Sequence, residues 1–399
     1  MFFVLVGLLL GPDVLGLLNI DIESSTLREL AELTLALVLF TDASTIDLAG
    51  LRRDAGLVGR LLGIGLFLTI AAGGLVAWLV FPELPVATAL LIGTILAPTD
   101  AALGLPVVAN PAVPIRIRRV LNVESGLNDG IATPFVVLFI SLATATGASE
   151  GTHVIEALEE IAIAIAAGVL VGSVGGILLL AADRRKLTSV LSRQIAAYAL
   201  ALGAYFVSLA LGGNGFIAAF VAGLAFGGAT RKGEEGAELF SETAGILLSI
   251  GVWVVFGAAL VGSLILNTQD LRPILYAILS LTVIRMAPVA IALLGSRLTV
   301  PTVAFVGWFG PRGLASIVFG ILALDALQES GGPTDLLAAT VGWTVLLSVV
   351  AHGLTASPLA ARYGRWIDDR QQATDEPLPE LEERSDLQPS ARTTWVRRT

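Results

Sequence analysis

Ionisable side chains lie within long apolar stretches of this sequence, where burying a charge is costly and usually serves a function. The acids are Asp42, Asp100, Glu124 and Asp129, and the permanent cations are Arg285 and Arg312. They stand out because the residues around them are almost entirely apolar. These side chains are therefore the first candidates for chemistry.

The richest of these stretches is ESGLNDG at 124–130. Residues four apart share one helix face, so Glu124 stacks with Asn128, and Ser125 stacks with Asp129 one position round. The oxygens on this face suit a hard monovalent cation, or a carboxylate that exchanges such a cation for a proton. The alternative is that the acids only pair with internal arginines, and it has more weight for Glu124 than for Asp129.

Two segments break helical order within apolar stretches, namely APTD at 97–100 and GWFGPRG at 307–313. Each contains proline, which removes a backbone hydrogen bond and disfavours helix in the preceding residue. Unwound backbone within a bilayer is tolerated only where protein or a water-filled cavity satisfies its polar groups. A pair of interrupted helices in two halves of a chain predicts a transporter with inverted repeats and a binding site near the membrane midplane.

The composition predicts the elements that position these residues. Hydrophobic residues make up 55% of the 399 and charged residues 14%, whereas soluble domains have about 25% charged residues. Such a chain has too little polar surface for a water-soluble globule. We therefore expect an all-α polytopic protein in a lipid bilayer.

Charge and residue counts exclude several other functions. The net charge of −9 removes the electrostatic basis for binding nucleic acid. The absence of cysteine excludes disulfides, thiolate nucleophiles and cysteine-ligated metals, and two histidines leave little for a metal enzyme. We therefore expect no resident cofactor.

Long apolar runs predict about twelve transmembrane helices, since a bilayer core of about 30 Å needs about 20 apolar residues per helix. The predicted spans are 1–18, 27–46, 57–81, 85–108, 119–144, 155–181, 194–211, 214–230, 240–265, 271–293, 301–326 and 336–361.

Basic residues concentrate in every second loop between these spans, and loops of this kind stay in the cytoplasm. They are Arg52, Arg53, Arg60, Arg116, Arg118, Arg119, Arg184, Arg185, Lys186, Arg193, Arg231, Lys232 and Arg297. The intervening loops hold only Arg28 and Arg272 and collect acids instead. This alternation supports the predicted spans and a cytoplasmic C-terminus.

From Asp368 onward the sequence is polar and has no apolar period, which is typical of disorder. We therefore expect a transmembrane transporter domain over 1–367 and a disordered cytoplasmic tail over 368–399. Matching the two proline breaks as equivalent positions gives six helices to the second repeat, the seventh to the twelfth, and five to the first, with the sixth helix as a connector. One helix is thus expected to be missing at the start.

Four motifs together resemble the cation:proton antiporters of the NhaP type, bacterial relatives of the animal sodium/proton exchangers. They are LFTDASTIDL at 39–48, APTDAA at 97–102, ESGLNDG at 124–130 and GPRGLAS at 310–316. The motifs follow the family's order, and the resemblance covers nearly all of 1–361. It implies the inverted-repeat antiporter fold, with two crossed interrupted helices in a core domain, a dimerisation domain and a homodimer in the cell (inner) membrane.

The resemblance also implies roles for individual residues. Asp129 resembles the aspartate that binds both the proton and the cation, and Asn128 resembles the asparagine before it, which is typical of electroneutral one-for-one exchange. Thr99 and Asp100 resemble the pair at the helix crossover. A Na⁺ or Li⁺ ion would be bound by Asp129, Ser125 and Thr99.

Four further residues have expected roles outside the ligand set. Glu124 resembles the structural ion-pair partner of Arg285, and Arg312 the arginine of the second interrupted helix. Asp42 resembles an acid near the cytoplasmic funnel, although a helix-capping role is an equal alternative. His352 is a candidate pH sensor, but a single helical histidine is more often a packed hydrogen-bond donor.

Two other functions remain open. A potassium:proton efflux antiporter of the sister branch would share the fold, although such proteins usually have a large soluble nucleotide-binding domain, which this sequence lacks. A membrane-embedded hydrolase is the remote alternative. It would need an activated serine, paired aspartates or a metal, and Ser125 has no neighbouring base in the sequence.

Overall fold

The computed structural model describes residues 1–18, 25–46, 48–145, 150–230, 239–262, 269–373 and 378–381. Every regular element within these ranges is a helix. The α-helices are α1 (Phe2–Leu10), α2 (Ser25–Ser44), α3 (Leu48–Arg60), α4 (Leu66–Val80), α5 (Val86–Ile95), α6 (Ala101–Val108), α7 (Ile115–Thr144), α8 (Glu150–Arg184), α9 (Val190–Ala210), α10 (Gly215–Thr230), α11 (Leu239–Phe256), α12 (Arg272–Leu281), α13 (Val283–Ala292), α14 (Val300–Trp308), α15 (Leu314–Ser330) and α16 (Thr334–Gln372). A π-helical turn at Leu61–Gly65 joins α3 to α4, and a second, at Gly257–Val261, follows α11.

Six helical stretches within the described ranges are long and apolar enough to cross a membrane. They are Asp54–Val80, Ile115–Thr144, Val154–Arg184, Val190–Ala210, Arg272–Ala292 and Thr334–Gln372. Shorter apolar helices at Val86–Ile95, Gly215–Thr230 and Gly245–Val261 add to them. The chain is therefore a multi-pass integral membrane protein, while the count of twelve spans and the missing first helix stay predictions.

The first predicted span is the one that differs most from the structure. A helix was predicted over 1–18, but α1 ends at Leu10 and the chain continues in turns to residue 18. The cause is Pro12, which lacks a backbone N–H and whose ring clashes with the carbonyl group four residues earlier. The prediction of an 18-residue helix at this end was therefore wrong.

The helices pack into two bundles. The flanking bundle consists of α1, α2, α8, α9, α10 and α11, in which α10 packs against α2, α8 and α9. The core bundle consists of α3 to α7 and α12 to α16. The two bundles meet where α7 and α15 pack against α2 and where α7 packs against α8 and α10.

Both predicted interruptions are present in the core bundle, between α5 and α6 and between α14 and α15. They lie against each other, since the backbone N–H of Asp100 donates to the carbonyl oxygen of Pro311 over 2.8 Å. The hydroxyl of Ser316 likewise donates to the carbonyl oxygen of Ile95 over 2.8 Å. An unpredicted interruption at Thr282 separates α12 from α13.

The chain after the last helix contacts the core bundle. α16 continues to Gln372, past the predicted domain boundary at residue 367. Leu378 belongs to the same buried apolar cluster as Ile117 and Tyr363, and its backbone N–H donates to Gln371 Oε1 over 2.9 Å. Part of the predicted tail is thus packed against the core bundle, whereas residues 382–399 lie outside the described residues.

Candidate ion-binding site

Helix α7 brings three of the predicted site residues to one buried face. Ser125, Asn128 and Asp129 expose 6%, 0% and 7% of their surface. The separation of four between Ser125 and Asp129 places both on the same side of the helix. The hydroxyl of Thr133, one turn further on, donates to the carbonyl oxygen of Asp129 over 2.8 Å.

Thr99, in the first interruption, contacts this face directly. Its Oγ1 lies 2.9 Å from Ser125 Oγ and accepts a hydrogen bond from Asn128 Nδ2 over 2.6 Å. Within the described residues, the Oδ1 atoms of Asn128 and Asp129 are buried and accept no hydrogen bond. Because a buried acceptor without a partner is costly, these two oxygens indicate a place for a cation or a proton.

Asp100 caps two helices at once. Its Oδ1 accepts the backbone N–H of Leu103 in α6 over 3.0 Å, and its Oδ2 accepts the backbone N–H of Leu314, the first residue of α15, over 2.9 Å. A carboxylate at a helix N-terminus satisfies a free N–H and opposes the positive end of the helix dipole. Asp100 therefore joins the two interruptions through backbone contacts.

Arg312 makes the complementary contact in the opposite direction. It is fully buried, and its Nη1 donates to the carbonyl oxygens of Ala97 and Pro98 over 2.7 and 3.2 Å. These carbonyls follow the C-terminal end of α5, where a cation is favourable because the helix dipole is negative there. Each interruption is thus braced by a charged side chain from the other.

Glu124 and Arg285 form a bidentate ion pair inside the core bundle. Arg285 Nη1 and Nη2 donate to Glu124 Oε1 and Oε2 over 2.8 and 2.9 Å, and both side chains are 2% exposed. Removing one partner of a buried pair typically costs about 3 to 5 kcal/mol because the other charge is left uncompensated. This pairing engages both carboxylate oxygens of Glu124, in contrast to Asp129.

Asp42 approaches α7 from the flanking bundle. It is half-buried on α2, opposite Gly126, where a Cβ atom would lie 3.8 Å from the Asp42 Cβ. Asp129 interacts electrostatically with Asp42, Asp100, Glu124 and Arg312. The structure therefore brings the predicted site residues into one region, with the three hydroxyl and amide side chains in direct contact.

A cavity of about 600 Å³ lies between the core and flanking bundles and extends to Thr133, one turn from Asp129. The acids in its lining are Glu32, Glu156, Glu160, Asp325 and Glu329. Arg28 forms ion pairs with Glu32 and Asp325, so it links α2 to α15 across the cavity. Tyr205 adds a hydrogen bond, donating to Glu32 Oε2 over 2.7 Å.

Sequence reasoning missed two buried polar residues that join elements of the core bundle. Ser348 of α16 accepts the backbone N–H of Arg312 over 2.7 Å, and Asp54 of α3 pairs with Arg116 of α7 at 3.0 Å. The separation of four between Ser348 and His352 was a signal for the first residue. The sequence offered no comparable signal for Asp54, because its partner is distant in the chain.

Residues 1–362 match the sequence profile of the family described as sodium/hydrogen exchanger, transmembrane. The chain therefore belongs to this family. The family and the fold are those of cation:proton antiporters, which transport ions and are not enzymes.

Named relatives and a solved structure agree with this assignment. The chain is 26% identical over 378 residues to the K(+)/H(+) antiporter NhaP2 of Shewanella oneidensis, covering 90% of the chain and 62% of the relative. It is 28% identical over 362 residues to the Na(+)/H(+) antiporter of Saccharomyces cerevisiae, covering 83% and 35%. The chain thus spans less than two thirds of the length of either relative.

The structure is similar to that of the sodium proton antiporter MjNhaP1 from Methanocaldococcus jannaschii at pH 8. The TM-score is 0.73 at 22% sequence identity, and the match covers 91% of this chain and 92% of the other. The inverted-repeat antiporter fold expected from the motifs is thereby confirmed.

Proposed function

We propose that this protein exchanges a monovalent cation for a proton across a membrane by alternating access. The observation that supports this most directly is Asp129, a buried carboxylate with an unpartnered oxygen beside the Ser125, Thr99 and Asn128 side chains. This oxygen-rich group lies where two interrupted helices cross, the arrangement that secondary transporters use to bind ions within the membrane.

In this proposal, Asp129 takes up either a proton or a cation, but never both. The cation would be bound by Asp129, Ser125 and Thr99, with Asn128 Oδ1 as a further oxygen ligand, and Asp100 adds negative charge nearby. An empty, charged carboxylate is costly to move past an apolar barrier. The core bundle therefore moves only when one of the two ions neutralises Asp129, and exchange follows.

The proposed stoichiometry is one cation for one proton, which is electroneutral. Asn128 is neutral, Glu124 is fully engaged by Arg285, and both oxygens of Asp100 accept backbone N–H groups. Asp129 is then the one carboxylate in the site left to alternate between the two ions. Asp42 and the acids of the 600 Å³ cavity would attract cations towards it from the two sides of the bilayer.

The transported cation is proposed to be Na⁺ or Li⁺, with K⁺ as the alternative. The family profile names sodium, whereas the Shewanella relative is named a K(+)/H(+) antiporter. We further propose a homodimer in the cell (inner) membrane. The C-terminus is proposed to be cytoplasmic, which the alternation of basic and acidic loops supports.

The test is transport by the purified protein in proteoliposomes that have a pH gradient and an internal pH-sensitive dye. NaCl, LiCl and KCl are added separately, and dissipation of the gradient identifies the cation. Asp129→Asn is expected to abolish the response. Asp183→Asn is the matched control, because Asp183 is a partly exposed acid near the end of α8 whose carboxylate bonds to Thr188 and Arg193, and it should retain exchange. Exchange by Asp129→Asn would overturn the proposal.

A further inference from the structure

His352 is buried in the core bundle and has no part in the ion site described above. It lies on α16 and is 2% exposed. Its ring packs against those of Trp308 and Phe309, with centroid distances of 5.2 and 6.4 Å. These aromatic residues mark the start of the second interruption.

Hydrogen bonds from His352 span this interruption. Its Nε2 lies 2.9 Å from the carbonyl oxygen of Trp308, the last residue of α14. Its Nδ1 lies 3.2 Å from Ser348 Oγ, which accepts the backbone N–H of Arg312 over 2.7 Å. Trp308 and Arg312, on the two sides of the unwound segment, are thus linked through two side chains of α16.

The neutral imidazole with its proton on Nε2 is the form that links Trp308 to Arg312, although its Nδ1 lone pair then faces the Ser348 carbonyl oxygen at 2.9 Å. A neutral ring has one donor and one acceptor nitrogen, so Nε2 donates to Trp308 while Nδ1 accepts from the Ser348 hydroxyl. A proton on Nδ1 instead would donate to the Ser348 carbonyl at 2.9 Å and leave the Nε2 lone pair facing the Trp308 oxygen. A doubly protonated ring would add a positive charge near Arg285 and Arg312, which already act on it electrostatically.

The interruption that His352 spans contacts the ion site through Arg312. The guanidinium of Arg312 donates to Ala97 and Pro98, and the next residue in the chain is Thr99. Thr99 in turn contacts Ser125 and Asn128. A shift of the Arg312 backbone would therefore displace a proposed cation ligand without touching Asp129.

We propose that His352 is a positioning residue for cation binding, which with Ser348 holds the second interruption so that Arg312 fixes Thr99 in the ion site. This inference rests on the exchange function proposed above. It assigns His352 no proton transfer and no contact with the ion. Its loss should therefore weaken cation binding while leaving the reaction at Asp129 intact.

The experiment measures the half-saturating cation concentration and the maximal exchange rate of variants in proteoliposomes. His352→Leu and Ser348→Ala are each expected to raise the half-saturating concentration about tenfold, the effect of one buried hydrogen bond, with a maximal rate within about twofold of wild type. His352→Gln keeps a donor for Trp308 and should stay within about threefold of wild type. Thr344 is a buried polar residue one turn earlier on α16 whose hydroxyl donates to the Thr340 carbonyl oxygen, and Thr344→Val should not change the half-saturating concentration.

Each result bears on the proposal. An unchanged half-saturating concentration in both His352→Leu and Ser348→Ala would overturn it, and if His352→Leu does not fold, Ser348→Ala decides alone. A shifted pH profile with unchanged cation affinity in His352→Gln would also overturn it, because a titrating histidine would then be the better account.

A second measurement separates this inference from the proposed function. If the wild-type protein moves no protons with any cation, the exchange proposal fails. The same variants are then compared by the thermal stabilisation that NaCl, LiCl or KCl gives the purified protein. Loss of that stabilisation in His352→Leu and Ser348→Ala, but not in Thr344→Val, would still support positioning, and its retention in both would overturn the inference.

Discussion

The two interruptions of the core bundle differ in the side chains that a neighbouring helix places against them. The first faces α7, which contributes Ser125 and, four residues later, Asp129. The second faces α16, which contributes Ser348 and, four residues later, His352. At the first, the Oδ1 of Asp129 and that of Asn128 have no hydrogen-bond partner in the described part of the chain, whereas at the second the serine and the histidine are both bonded to the interruption itself.

This difference teaches that two similar backbone breaks can serve unlike purposes. At the second, the side chains of Ser348 and His352 are used to bond the backbone of Arg312 and Trp308. At the first, the carbonyl groups of Ala97 and Pro98 are satisfied from outside by Arg312, so the side chains of α7 keep oxygens for a ligand. One interruption supports the structure, and the other is proposed to bind the transported ion.

The largest expected effect on this arrangement comes from Arg312→Leu. The substitution removes the donor for Ala97 and Pro98 and leaves buried carbonyls and acids uncompensated, so we expect a loss of about 3 kcal/mol or more in stability and no measurable exchange. Thermal unfolding in detergent and proteoliposome transport provide the measurements. Arg272→Leu is the control because its pairs with Asp270 and Glu83 are exposed, and it should change little. If Arg312→Leu is as stable as the wild-type protein, then Arg312 does not brace the first interruption.

A smaller effect is expected from Gly313→Ala, which tests whether Asp100 must lie against the second interruption. A Cβ atom on Gly313 would overlap Asp100 Oδ2, so the carboxylate would lose its contact with Leu314, at a cost of about 1 to 3 kcal/mol. Gly104→Ala in α6 is the matched control, since its Cβ would meet nothing within 4 Å. It should be neutral or stabilise the helix by up to about 1 kcal/mol. Equal melting temperatures for the two variants would speak against the cap.

The smallest expected effect concerns the N-terminal end of α14, the first half of the second interrupted helix. Glu380 Oε1 accepts the backbone N–H and the hydroxyl of Thr299, the N-cap of α14, and the hydroxyl of Thr302, over 3.0, 2.7 and 2.7 Å. The N-cap of the first interrupted helix, α5, is Pro85, which has neither a backbone N–H nor a hydroxyl to donate to such a carboxylate. The two interrupted helices therefore also differ at their ends.

This cap predicts a pH dependence for the segment 378–381. Burial alone would raise the pKa of Glu380, but hydrogen bonds from Thr299 and Thr302 together hold it below its usual value. A lowered pKa means that the carboxylate stabilises the contact above the ordinary glutamate value of about 4.3, and that this contribution is lost as the pH falls through the lowered pKa.

The amides of 378–381 should therefore be protected from hydrogen exchange at neutral pH, and this protection, corrected for the intrinsic exchange rate at each pH, should fall as the pH drops through the lowered pKa of Glu380. Glu380→Gln should show faster exchange already at pH 7, while Glu383→Gln, later in the tail, serves as the control. Equal exchange in both variants would show that the other contacts of the segment, from Leu378 and from Arg116 to the Pro379 carbonyl oxygen, are enough to attach it.

Local patterns predicted the parts of this site that depend on near neighbours in the chain. Pro98 and Pro311 located both interruptions, and the separation of four located the face shared by Ser125 and Asp129. The helix interruption at Thr282 was missed, and α13 continues through Pro288, so proline alone is not a sufficient signal.

The partners that complete the site could not be derived from local patterns, because they are distant in sequence. Asp100 contacts the backbone N–H of Leu314, and no side-chain pattern indicates which distant backbone group a carboxylate will cap. From the residues alone, the pairing of Glu124 with an internal arginine was only an alternative, and the resemblance to a family was needed to name Arg285, 161 residues away. His352 was expected to be a packed hydrogen-bond donor, but its partner, the Trp308 carbonyl oxygen, depends on how α16 packs against the end of α14.

The contacts between the two interruptions also determine when the site is completed during synthesis. Leu314 and Asp100 are 214 positions apart, and Arg312 and Ala97 are 215 apart. A chain inserted into the bilayer from its N-terminus therefore holds the first interruption without these partners until α15 has left the ribosome. A nascent chain that stops before Arg312 contains Asp129 but lacks the braces around it, so the ion site is a late product of membrane insertion.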